Sequence, residues 1–247
     1  MSKKVYITQV LMCVLLLALV VCMESYSGMD VALQNLWFEQ SSGEWFIPQA
    51  THQEYRGIFY GGAKRGISII AGICALLLVI GLVRKAQRHV IFPCLLLLLS
   101  LAAVPASVGV GKKITNVRCP EELAVYGGTF PYERVLECKR TNAAPGKPGR
   151  CFPAGHASGG FALMALYFCL RRRWLGLGIG LSAGWIMGIY QMLRGEHFLS
   201  HTLATMVLAW LLILLLLPVA RKLATLYINA RHWSLPEPAS SRALSSL

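Results

Sequence analysis

The chain has 247 residues, a formal net charge of +13 and a mean hydropathy of +0.55, and only 14% of its residues are charged. So few charges cannot cover the surface of a soluble domain of this size, so composition excludes an ordinary soluble protein and points to a bilayer as solvent. The basic balance is not that of a nucleic-acid binder: RNA-binding signatures and zinc-finger spacings are absent, and cytoplasmic loops of membrane proteins collect Lys and Arg. After the basic start Met1-Ser2-Lys3-Lys4, an apolar run from Val5 to Met23 is long enough to span roughly 30 Å of hydrocarbon. It exceeds the apolar part of a secretory signal and no small-x-small cleavage site follows, so it reads as a retained helix. Further apolar runs cover Gly66–Val83, Val90–Val110, Ala157–Leu170, Trp174–Leu193 and Thr202–Ala220. The expected architecture is all-α, with six membrane-spanning helices in one domain over residues 1–230 and a loose cytoplasmic tail over 231–247, rich in Ser, Pro and Ala.

The charges between the runs give an orientation. With the N-terminus inside, Lys3 and Lys4, the turn Arg84-Lys85-Ala86-Gln87-Arg88, Arg171–Arg173 and Arg221–Lys222 all fall on the cytoplasmic side. Three segments then face outward. The first, Glu24 to Arg65, carries Trp37, Phe38, Trp45, Phe46, Tyr55, Phe59 and Tyr60 and suits an amphipathic stretch at headgroup level. The second runs from Gly111 to His156 and the third from Arg194 to His201. No internal repeat supports an inverted-repeat transporter. Of eight cysteines, Cys13, Cys22, Cys74, Cys94 and Cys169 lie in or beside apolar runs. Cys119, Cys138 and Cys151 share the second outer loop, where an oxidising compartment allows any two of them to pair.

The second outer loop breaks the charge rule. It holds Lys112, Lys113, Arg118, Arg134, Lys139, Arg140, Lys147 and Arg150 against four acidic residues. Long loops cross membranes whatever their charge, but Lys and Arg there are also what an anionic ligand such as a phosphate needs. Pro153-Ala154-Gly155-His156 stands where a helix begins, and a helix N-terminus offers free N–H groups and partial positive charge to an oxyanion. The last outer link, Arg194-Gly195-Glu196-His197-Phe198-Leu199-Ser200-His201, brings an Arg and two His to the same membrane face. His197 and His201 are four apart, so if helical they share a face. Histidines beside Lys and Arg are the equipment of phosphoryl transfer: cations neutralise the phosphate oxygens, one imidazole attacks phosphorus and another protonates the leaving oxygen.

These motifs resemble those of the type 2 phosphatidic acid phosphatases, membrane enzymes related in their core to vanadium haloperoxidases. The family pattern is a Lys followed by Arg-Pro, then Pro-Ser-Gly-His, then Ser-Arg-x5-His-x3-Asp. Lys112 or Lys113 with Arg118 and Pro120 is similar to the first element, Pro153-Ala154-Gly155-His156 to the second, and Gly195 to His201 to the third. The resemblance covers Lys112 to Ala220 and implies a haloperoxidase-like helical core. It implies His197 as the nucleophile that forms a phosphohistidine and His156 as acid for the leaving group. Lys112 or Lys113, Arg118, Gly155 and Arg194 would hold the phosphate, with neither cofactor nor metal and no obligate protein partner. The partner would be a phospholipid or polyprenyl phosphate in the outer leaflet: undecaprenyl pyrophosphate, phosphatidylglycerol phosphate, phosphatidic acid or lipid A 1-phosphate. The expected setting is a bacterial inner membrane, with the site facing the periplasm and both termini cytoplasmic.

The departures from the family are specific. Five residues instead of six separate Lys112 from Arg118, and Cys119 separates Arg118 from Pro120. Ala154 replaces a phosphate-binding Ser. Gln191 stands where the second Arg belongs, so Arg194, about a turn on, has to substitute. His201 stands in place of the Asp that orients the nucleophile, and a neutral imidazole cannot support an imidazolium as a carboxylate does. Three alternatives follow: a lipid-to-lipid phosphotransferase with the same residues, a metal-binding protein using Glu196, His197 and His201 although HExxH is absent, and a non-catalytic lipid-binding protein.

Overall fold

The computed structural model describes residues 2–48, 51, 61–84, 88–137 and 148–232. Tyr55, Phe59, Tyr60, Lys85–Gln87, Cys138, Lys139, Arg140, Lys147 and the tail from residue 233 lie outside them.

Helix α1 (Lys3–Tyr26) leads into a short α2 (Met29–Gln34) and an antiparallel hairpin of β1 (Phe38–Glu39) and β2 (Glu44–Trp45), paired as Phe38↔Trp45 and Glu39↔Glu44. Then come α3 (Gly61–Val83), α4 (Arg88–Thr115) and 3-10 turns at Pro120–Glu122 and Ala124–Tyr126. Helix α5 (Ser158–Ala162), a 3-10 turn (Leu163–Ala165), α6 (Leu166–Cys169), α7 (Arg173–Met192) and α8 (Leu199–His232) complete the order. Among the described residues, five helical stretches are long and apolar enough to cross a membrane: Lys3–Tyr26, Lys64–Val83, Val90–Glu122, Arg173–Met192 and Leu199–Ala230. The chain is an all-α membrane protein in its main architecture.

The fourth expected span takes a different form. Ser158–Cys169 is helical in pieces of five, three and four residues. At ~1.5 Å per residue they cover only about 18 Å, against the roughly 30 Å of hydrocarbon. The apolar stretch between His156 and Arg171, residues 157–170, is too short for a full span, and Leu170 turns extended (φ −94°, ψ 147°) to stop the helix. Five full-length spans and one shorter apolar segment replace the six expected.

That short segment packs on α7 through glycine. Gly176, Gly180, Gly184 and Gly188 recur every fourth residue, all buried on one face. A Cβ on Gly180 would stand 2.3 Å from the backbone nitrogen of Met164, so the two backbones meet directly, as small-residue stripes permit between membrane helices. The central core joins Leu96, Leu97 and Val104 of α4, Phe161 of α5, Met164, and Ile213 and Leu217 of α8. Helix α1 lies against α8 through Cys13, Val207 and Leu214. Its other face shows Leu11, Leu15 and Leu19 outward, as α3 shows Ile69, Ile73 and Leu76, which suits contact with acyl chains.

The first outer segment also departs from expectation. Phe38 and Trp45 are buried against Leu123, Tyr126 and Phe198, leaving Phe46 exposed. Of its described aromatics, Phe38 and Trp45 are a cover on the protein, because the turn at Gly195 leaves room for an indole. Gly195 has φ +74°, and a Cβ on it would fall 2.3 Å from the Trp45 ring.

Gly180→Ala should lower the thermal unfolding midpoint in detergent, at the roughly 1–3 kcal/mol cost of overpacking. Gly178→Ala, whose Cβ meets nothing within 4 Å, should leave the midpoint unchanged.

Candidate active site

The ends of α4 and α7 and the starts of α5 and α8 meet at one end of the bundle, and the loops between them are joined by main-chain bonds. Cys151 N–H donates to the Val117 carbonyl at 2.9 Å, Ala154 N–H to His201 at 3.0 Å, and Glu121 N–H to Gly195 at 2.8 Å. The Thr115 hydroxyl donates to the Phe152 carbonyl at 2.6 Å and the Thr205 hydroxyl to that of Ala154 at 2.9 Å. Cys119 and Cys151 form a disulfide with a Cα–Cα distance of 5.1 Å, tying the Arg118 segment to the His156 segment.

Four of the residues expected from sequence come together directly. His156 Nδ1 lies 3.2 Å from His197 Nε2, and the rings are 5.4 Å apart between centroids. Lys112, in the last turn of α4, lies against Gly155; a Cβ there would stand 2.9 Å from Nζ, so the glycine makes room for the ammonium. Lys113, one residue on, faces outward and is exposed. Of the two lysines, Lys112 is therefore the one at the site.

A cavity of about 480 Å³ opens beside this group. Lys112, Gly155, His156 and Ser158 form one part of its wall, while Ile67, Leu101, Pro105 and Met187 make an apolar part and Lys64 stands at its margin. His197 is only 1% exposed, so His156 stands between it and the cavity. Burial holds the His197 imidazole well below its usual pKa, and nearby Lys112, His201 and His156 push the same way. The ring is neutral at neutral pH, the form with a lone pair to offer.

The arginines are each partly engaged. The Arg194 guanidinium donates from one terminal nitrogen to Gln191 Oε1 at 2.9 Å and pairs with Glu196 Oε1 at 3.3 Å from the other. It thus reaches back alongside Gln191, where the family pattern has its Arg. Its Nε finds no hydrogen-bond partner among the described residues. Arg118 pairs with Glu122 at 3.5 Å and lies 3.6 Å from the centroid of the Phe130 ring. Arg134 donates to the Ser25 carbonyl at 2.8 Å, anchoring the outer loop to the end of α1.

His201 is fully buried, with its ring centroid 5.9 Å from that of His197. Neither of its ring nitrogens has a side-chain hydrogen-bond partner among the described residues; the ring approaches the backbone of Cys151 and packs edge-on against Phe152 and Phe198. The group beside His197 Nδ1 is instead Cys151 Sγ, at 3.2 Å. Cys119, Cys151 and His197 are the one set of possible metal ligands that converges among the described residues, and the disulfide already joins the two sulfurs.

Sequence reasoning missed Asp30. Its carboxylate is 2% exposed and accepts the Ser200 backbone N–H at 3.0 Å and the Ser200 hydroxyl, capping the first turn of α8 from α2. Burial pushes this carboxyl up, against the pull of both bonds from Ser200. Gln34 likewise donates to the Met192 carbonyl at 2.8 Å, so α2 fastens both sides of the histidine link.

A family model described as the PAP2 superfamily matches residues 93–224, more than half of the chain, and the chain belongs to that family. Neither a curated protein nor a solved structure matches it.

His197 gives a pH signature to stability. Its native pKa is lowered from 6.5, so below pH 6.5 the unfolded chain binds the proton first and stability falls toward the lowered native value. Unfolding midpoints measured from pH 8 to pH 5 should decline below about 6.5, with a shallower decline in His197→Gln.

Proposed function

We propose that this PAP2 superfamily member is a lipid phosphatase that cleaves a phosphate monoester or pyrophosphate of a membrane lipid through a phosphohistidine on His197. The observation that carries the reading is the junction of Lys112, Gly155, His156 and His197 with a cavity whose further wall is apolar. A phosphate needs the cationic part and an acyl or prenyl chain the other, so the headgroup enters while the chain stays among α3, α4 and α7.

In this reading the phosphate enters between His156 and His197, parting the contact between their rings. Lys112, with Arg118 and Arg194 as further cations, balances the charge on the phosphoryl oxygens. His197 Nε2 attacks phosphorus and the bond to the lipid oxygen breaks, with His156 donating the proton that oxygen needs. Water, giving its proton to His156, then attacks phosphorus, breaks the P–N bond, releases phosphate and restores His197. Every group in this sequence is a side chain of this protein, which is the basis for expecting turnover without a metal. The substrates the family suggests are undecaprenyl pyrophosphate, phosphatidylglycerol phosphate, phosphatidic acid and lipid A 1-phosphate, met at the periplasmic face of a bacterial inner membrane.

The test is phosphate release from these lipids by purified protein in detergent with EDTA present. Release should persist in EDTA and vanish in His197→Ala and His156→Ala; release untouched by either change would sink the histidine mechanism, and no release from any lipid would move the reading to a phosphotransferase or a non-catalytic role. Lys112→Ala and Arg194→Ala should each lower the rate by roughly 10²-fold or more, the cost of one preorganised charge, while Lys113→Ala stays near wild type. Arg134→Ala should change stability more than rate.

A further inference from the structure

We propose that Cys151, held by its bond to Cys119, is the positioning residue for His197: its sulfur meets Nδ1 and so turns Nε2 toward His156 and the cavity. The inference rests on the phosphatase reading for its catalytic meaning, but its geometry stands alone.

An imidazole that must attack through one nitrogen needs the other nitrogen held. Otherwise the ring exchanges tautomers and rotates. The residue expected to hold it, His201, has no side-chain hydrogen-bond partner among the described residues; its ring approaches the backbone of Cys151 and packs edge-on against Phe152 and Phe198. Cys151 Sγ lies 3.2 Å from Nδ1 and is itself fully buried. The same sulfur touches the Glu196 carbonyl oxygen at 2.7 Å, so it is wedged under the backbone that leads into His197. A sulfur in a disulfide has no proton to give, so in this contact Nδ1–H is the donor and Nε2 keeps its lone pair. Nε2 is the nitrogen 3.2 Å from His156. Cys119 contributes by fixing where the sulfur sits: Cys151 is also held by its own N–H bond to Val117, so both sides of the half-cystine are immobile. In this arrangement a neutral, covalently anchored acceptor fills the place of a carboxylate.

Cys119→Ala and Cys151→Ala both break the disulfide, but only the second removes the sulfur at Nδ1. With matched thermal midpoints as the control for folding, Cys151→Ala should show a kcat about tenfold or more below that of Cys119→Ala, with KM alike. Cys151→Ser, which returns an oxygen acceptor, should recover part of the loss. Equal kcat in the two alanine variants, with His197 still held in the Nδ1–H form in Cys151→Ala, would overturn the proposal and leave the disulfide a purely structural tie. An activity-independent reading comes from ¹⁵N-histidine NMR of the full chain in detergent. His197 should be in the Nδ1–H form in the wild type and in exchange between tautomers in Cys151→Ala; an Nε2–H form in the wild type would overturn it. If the wild type releases no phosphate, the phosphatase reading fails and the NMR result alone decides the positioning.

Discussion

The N–H of Ala154 donates to the carbonyl of His201, and the hydroxyl of Thr205 donates to the carbonyl of Ala154. These two bonds fasten the segment that carries His156 to the first turns of the helix that follows His197, and the rest of the site depends on that register. The contacts of Cys151 with Val117 and of Glu121 with Gly195 extend the same scheme to the other loops. Because backbone groups and buried hydroxyls make these ties, Lys112 and His156 are left to face the cavity. A site assembled this way is ordered before anything binds, the condition under which fixed charges act most strongly on a developing negative charge.

Its electrostatics are lopsided. Lys112 is the cation that acts on His197 from beside its close pair with His156, while Glu122 and Glu196 take up part of Arg118 and Arg194. The neutral His197 ring is a product of burial first, and then of Lys112 and the neighbouring histidines. In the proposed reaction a phosphate would bring negative charge to this site, so Lys112, which helps keep His197 unprotonated, would also hold its target.

The chemistry-bearing segments were legible in sequence because each is a short motif at a helix end, and their order along the chain is preserved in space. The lysine at the site was not: Lys112 and Lys113 differ only in helical phase, which the packing of α4 against Gly155 decides. Asp30 was out of reach, since it caps α8 from 170 residues away and no local pattern marks a remote cap. The glycines of α7 were readable at their spacing of four, and the run after His156 was readable as short; both follow from counting. The aromatic segment was ambiguous in principle. A stretch of Trp and Phe has the same composition whether it lies on lipid headgroups or on protein, and the absent side chain of Gly195, far along the chain, settles the question for Phe38 and Trp45.

That last contact has an optical side. The Trp45 indole rests on Gly195, two residues before His197, with Phe38 and Tyr126 around it at centroid distances of 4.8 and 5.1 Å. Any swing of the link between α7 and α8 has to change the surroundings of that ring, whose emission depends on them. The protein therefore carries its own fluorophore at the hinge of its candidate nucleophile, placed there by an interaction whose evident role is mechanical.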